Sequence, residues 1–132
     1  MAINKLLITV FTTVTISACA FPSRFDNQEH ARLINIYVAS ADNSVCTNAN
    51  LAQPIATQMY RDAVWALNYG TTLPNNDPMI NMEKNLVDIT KELHERYQKT
   101  EPVSTFYCRS KFENIHRASE IITKVSARRP RT

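Results

Sequence analysis

From Leu33 onward the apolar positions of the chain recur every three or four residues, the spacing that lines one face of an α-helix. Leu33, Ile34, Tyr37, Val38 and Ala41 predict a first helix from Asn27 to Ser40. Ahead of it, Asp26-Asn27-Gln28-Glu29 reads as a capping box, with Asp26 accepting from the backbone and Glu29 reaching back. Ile34, Ile36 and Val38 also alternate as a strand would, so a strand is the alternative for this segment. Leu51, Ala52, Ile55, Met59, Ala63 and Ala66 form the stripe of a second helix, capped by Asn50 and running to Tyr69. Gly70 follows where a left-handed terminal residue is wanted. Asp77-Pro78 starts a third helix to Gln98, with Met79, Met82, Leu86, Ile89 and Leu93 as a coiled-coil-like seam. Ser104 or Thr105 caps a fourth, ending near Ala127, whose face is Cys108, Phe112, Ile115, Ala118, Ser119, Ile122 and Val125. The expected architecture is all-α: a small bundle of three long helices and one shorter N-terminal helix.

Composition narrows the possible chemistry. The 132 residues suffice for one small domain, and a single glycine, Gly70, excludes every motif that needs two or more. Phosphate-cradling loops, dinucleotide fingerprints and nucleophile elbows are therefore absent. His94-Glu95 lacks the second histidine of a zinc-protease helix, so no metal or other cofactor is expected. Glu113, His116 and Glu120 share a helix face. They read as surface residues in which Glu113 pairs with Arg117, Glu120 pairs with Lys124 and His116 is solvated; Glu92 with Arg96 and Glu95 with Lys99 are expected as similar pairs. Nothing in these patterns points to an enzyme or to nucleic-acid binding.

The N-terminus is built differently. Lys5 precedes an eleven-residue apolar stretch, Leu6 to Ile16, and small residues follow, the layout of a secretory signal and too short for a bilayer-spanning helix. Ile16-Ser17-Ala18-Cys19 resembles the lipobox of bacterial lipoproteins. The resemblance covers only this signal and implies lipidation of Cys19 and removal of residues 1–18; the residues that follow read as a tether over 19–25, a helical domain over 26–127 and a basic tail over 128–132. Ala20, standing where an Asp tends to retain such proteins in the inner membrane, implies an outer-membrane protein facing the periplasm, held by its lipid anchor. Cleavage after Ala20 by the general signal peptidase is the competing route.

Either route leaves Cys46 and Cys108, an even pair in an oxidising compartment, where a disulfide is the default and a free thiol the alternative. In an up-down-up arrangement of the long helices, both cysteines fall at one end of the bundle. Gln58, Asp62, Trp65 and Tyr69 form a second stripe on the Asn50 helix and are the candidate surface for an envelope protein partner; the bland alternative has Trp65 packing under the first helix or the lipid tether. From Arg109 onward there are seven basic and two acidic residues, suited either to anionic headgroups or polymers or to a solvated helix end.

Two functions fit this description. One is a non-catalytic binding module acting as an inhibitor, an immunity protein or an assembly component. The other is a periplasmic stress chaperone, since the chain is similar in general format to small helical acid-stress chaperones with one disulfide, although no motif of theirs is matched. The anchor is tested first: mass spectrometry of the mature protein is expected to find acylated Cys19 at the N-terminus. An unmodified chain beginning at Phe21 would end the lipoprotein reading.

Overall fold

A computed structural model describes residues 23–131, so the signal segment, Cys19 and residues 20–22 lie outside the described part. Four helices follow one another: α1 (Asn27–Ser40), α2 (Ala49–Gly70), α3 (Asp77–Gln98) and α4 (Thr105–Ala127). Each packs against its neighbours in the order α1, α2, α3, α4 and back to α1, which closes an antiparallel four-helix ring. Between α1 and α2 lies a short 3-10 helix, Asn43–Thr47, that packs on α2 and α4.

Each helix turns a strict four-three stripe inward, the pattern that keeps a seam facing its partners. On α2 the stripe is Ala52, Ala56, Met59, Ala63 and Ala66, and its small residues admit close neighbours. On α4 it is Cys108, Phe112, Ile115, Ser119 and Ile122. On α3 the buried rungs are Met79, Leu86, Leu93 and Tyr97, with Met82 and Ile89 of the expected seam only partly covered. Leu51, expected inside, is exposed because the inward stripe of α2 begins at its neighbour Ala52, which turns Leu51 outward.

The helix ends differ from expectation for local reasons. Asn48, not Asn50, caps α2, its side chain accepting from the Asn50 amide. Asp77 is the first residue of α3 rather than its cap, and Asn76 stands at the cap with its side chain engaged elsewhere. Asp26 caps α1 as read, accepting from the amides of Gln28 and Glu29, but the Glu29 side chain turns into the protein instead of reaching back. Ser104 caps α4 through the Tyr107 amide.

Two devices close the bundle, one at each end. At the end holding the C-terminus of α1 and the start of α4, Cys46 and Cys108 form a disulfide, with Cα atoms 5.6 Å apart. Closing a loop of this size removes chain entropy worth about 4 kcal/mol from the unfolded state. At the opposite end the closure is polar, and it is the most unusual feature of the molecule.

Candidate functional site: a buried ionic cluster

The inward stripes do not stop where the apolar residues do. One step beyond Leu33 on α1 lies Glu29, between Met79 and Leu86 on α3 lies Glu83, and one step past Ser126 of α4 lies Arg129. Both glutamates have no exposed surface, and Arg129 keeps 7% of its own. The fourth helix contributes empty space: Gly70 occupies the last rung of α2. A Cβ there would lie 2.9 Å from Glu29 Oε2 and 3.1 Å from Asn76 Nδ2, and closer still to Glu83 Oε2. Gly70 has no positive φ, so the expectation of a left-handed cap is overturned. Its missing side chain is what the two carboxyl groups occupy, and the left-handed residue of the α2–α3 connection is Asn75 instead, at φ 55°.

Hydrogen bonds tie the cluster to all four helix ends. Asn76 Nδ2 donates to Glu29 Oε2 at 2.7 Å and to the Gly70 carbonyl at 3.0 Å, while Asn76 Oδ1 accepts from Arg129 Nη1 at 3.2 Å. Arg129 Nη2 lies 2.5 Å from Glu29 Oε1 in an ionic contact and donates to Ser126 Oγ at 2.9 Å. Neither oxygen of Glu83 has a hydrogen-bond partner.

Two carboxylates against one guanidinium leave a net negative charge in a buried site, a costly arrangement unless one acid keeps its proton. Glu83 is that acid: burial, then the facing Glu29, pushes its pKa up to about 9, against a smaller opposing pull from Arg129. The cluster at neutral pH is thus one ion pair and one neutral carboxylic acid.

Next to it, His30 Nδ1 lies 2.9 Å from Ser126 Oγ. Ser126 Oγ is thus shared between His30 and Arg129. Burial, and then Arg129 and Arg131, lower the His30 pKa. The other two histidines are also wedged between helices. His94 lies 3.0 Å from Thr57 Oγ1 and stacks on Tyr60. His116, expected to be solvated, stacks on Tyr37 with ring centroids 4.6 Å apart and donates from Nδ1 to the Tyr37 carbonyl at 3.1 Å.

The expected basic tail is folded in as well. Arg129 is buried, the Phe25 amide donates to the Pro130 carbonyl at 2.9 Å, and the Arg131 guanidinium lies 3.8 Å over the Phe25 ring. Within the basic tail, Arg129 is thus buried against Glu29 while Arg128, Pro130 and Arg131 stay exposed.

Of the candidate partner stripe on α2, Gln58 is exposed and the other three residues touch α1 or its cap. Asp62 is buried in an ion pair with Arg32 at 3.0 Å. Trp65 stacks on Tyr69 and lies under Arg32 at 4.5 Å, and the Tyr69 hydroxyl donates to Asp26 Oδ2. Ion pairing on the surface also departs from the expected i,i+4 pattern. Glu92 pairs with Lys111 across helices at 2.7 Å, Glu95 with Lys91, and Arg96 donates to the Glu101 and Pro102 carbonyls; Glu120 with Lys124 forms as read. Glu113, His116 and Glu120 form no metal-holding group, and none exists among the described residues. A shallow apolar depression of about 420 Å³ between α3 and α4, lined by Asn81, Met82, Asn85, Ala118 and Ile121, carries no titratable group.

No family model, curated protein or solved structure matches the chain.

The cluster makes a signed prediction about alkali. Glu83 holds a proton in the folded state that the unfolded chain releases above about pH 4.5, so its contribution to stability is full below that value and declines as pH rises towards about 9. The slope from one such proton is at most about 1.4 kcal/mol per pH unit. Glu83→Gln, which keeps the shape without the titration, is expected to flatten the fall of the thermal midpoint between pH 6 and 9. Parallel profiles for the two proteins would show that Glu83 is already ionised at neutral pH.

Proposed function

We propose that the chain is a non-catalytic, lipid-anchored protein of the outer membrane that acts in the periplasm as an acid-gated holding chaperone. The observation that carries this reading is the placement of a buried ion pair, Glu29 with Arg129, at the end of the bundle opposite the disulfide. Removing one partner of a buried pair costs about 3 to 5 kcal/mol, so this end of the bundle is held by charge. His30, beside the pair, makes that end sensitive to acid. Its lowered pKa means that its contribution is full above pH 6.5 and is lost as pH falls through the folded-state value. Glu83 does not contribute, since it is already protonated. Acid therefore loosens the end formed by the start of α1 and the end of α4, while the covalent bond keeps the other end shut. Apolar rungs such as Leu33 and Ile122 become available to client chains, and neutralisation closes them again. The lipid anchor rests on the Ile16-Ser17-Ala18-Cys19 resemblance alone.

The test is aggregation of acid-denatured malate dehydrogenase on neutralisation, followed beside the near-ultraviolet dichroism of the protein. Protection is expected only after incubation near pH 2 to 3, where the tertiary signal of Trp65 and the tyrosines has gone. Glu29→Gln is expected to lower stability at pH 7 by about 3 kcal/mol or more and to move the onset of protection towards neutral pH. A tertiary signal unchanged down to pH 2 removes this reading.

A second reading, a constitutive protein-binding module serving as an inhibitor, immunity protein or assembly component, is favoured by a different observation. Phe106 is 81% exposed at the start of α4, and Leu51 is exposed at the start of α2 at the same disulfide end. Exposed aromatics of this kind anchor interfaces. Pull-down from detergent-solubilised envelopes at neutral pH is then expected to recover one specific partner. Phe106→Ser is expected to lose it, and Trp65→Ala reports whether the α2 stripe takes part. Identical profiles for the parent and both variants remove the module reading.

A further inference from the structure

The arginines that remain exposed at the cluster end are not explained by the cluster. Arg129 is used inside, but Arg24, Arg128 and Arg131 are exposed, and none of them is in an ion pair with a described residue. They do not hang on a loose tail. The hydrogen bond from the Phe25 amide to the Pro130 carbonyl sets Arg24 and Arg131 on either side of one fixed contact, and Arg131 is seated over the Phe25 ring, which itself packs on His30. Arg128, three residues before Arg131, is fixed by its amide, which bonds back to the Lys124 and Val125 carbonyls of α4. The carboxylates of this end do not neutralise the group. Glu29 is committed to Arg129, Glu83 is buried, and Asp26 is occupied by the cap amides and by Tyr69, leaving Asp77 at the start of α3 as the exposed acid.

This is also the end at which the chain emerges. Ser23 is the first described residue, and four peptide units back lies Cys19. A chain reaches at most about 3.6 Å per residue, so an anchor at Cys19 holds Ser23 within about 14 Å of the point of attachment. A charged surface is felt over about 8 to 10 Å at physiological salt. The tethered end of the bundle is therefore kept where anionic headgroups act on it, and guanidinium groups suit phosphate oxygens through paired N–H donors.

We propose that Arg24, Arg128 and Arg131 form a preassembled contact surface for anionic phospholipid headgroups, which seats the bundle upright on the membrane with its disulfide end pointing away. The reach part of the argument rests on the lipid anchor proposed above, whereas the arginine patch does not, and the experiment separates them by using unlipidated protein. The Cys19→Ala protein is co-sedimented in low salt with vesicles of phosphatidylethanolamine alone and of phosphatidylethanolamine with one quarter phosphatidylglycerol. Binding to the second and not the first is expected, with loss in 0.5 M salt. The Arg24→Gln/Arg128→Gln/Arg131→Gln variant is expected to bind about a hundredfold more weakly, at roughly one fivefold step per arginine, with its helical dichroism spectrum unchanged at the temperature of the binding assay. Equal binding to both vesicle types, binding unaffected by the triple change, or retention on soluble polyphosphate without retention on vesicles each overturns the proposal. None of these results depends on whether Cys19 is acylated in the cell.

Discussion

One ion pair decides how this bundle is closed. Glu29 lies in α1 and Arg129 just past the end of α4, and their contact draws in a residue from every helix end around them: Asn76 ahead of α3, Glu83 within it, Ser126 of α4 and the vacant side of Gly70 on α2. Charges are put at a position where each helix would ordinarily carry an aliphatic residue. The arrangement is tolerable because it is neutral in total, and it is neutral because one carboxyl group keeps its proton. Apolar replacements of similar volume commonly hold such a site as tightly as a buried ion pair does. The charged version differs in that its strength depends on the medium.

The histidines follow the same logic on a smaller scale. Each bridges two elements, each rests against an aromatic ring, and each places Nδ1 against a hydroxyl, Ser126, Thr57 or Ser40. They are packing residues whose polar edges are satisfied across helix interfaces. Only His30 stands beside the arginines, so only at the cluster end do histidine charge and ion-pair charge oppose one another.

Much of the architecture was legible because helix periodicity, capping residues and cysteine parity are local signals. The bounds of α1, the cap at Ser104 and the pairing of Cys46 with Cys108 follow from such signals directly. The cluster was not read, although its signal was present. Glu29, Glu83 and Arg129 sit in register with the four-three stripes of their own helices, and a reading that assigns charged residues to the surface by type passes over them. Gly70 was misread for a related reason: glycine at a helix end ordinarily serves backbone conformation, and here it serves the space needed by side chains distant in sequence. Which carboxylate answers Arg129 depends on packing that no local pattern specifies.

The hydrogen bond between Phe25 and Pro130 joins the two ends of the described chain. Mechanically, the fold is a ring with its seam beside the N-terminal end of the described residues, and any pull transmitted through that end loads the seam before it reaches a helix. A tug there peels Phe25 away from Arg131 and strains the grip of Glu29 on Arg129, whereas the covalent link at the far end sets a hard stop on how far the helices of the opened structure can travel. Force would thus enter the molecule where its charges are buried.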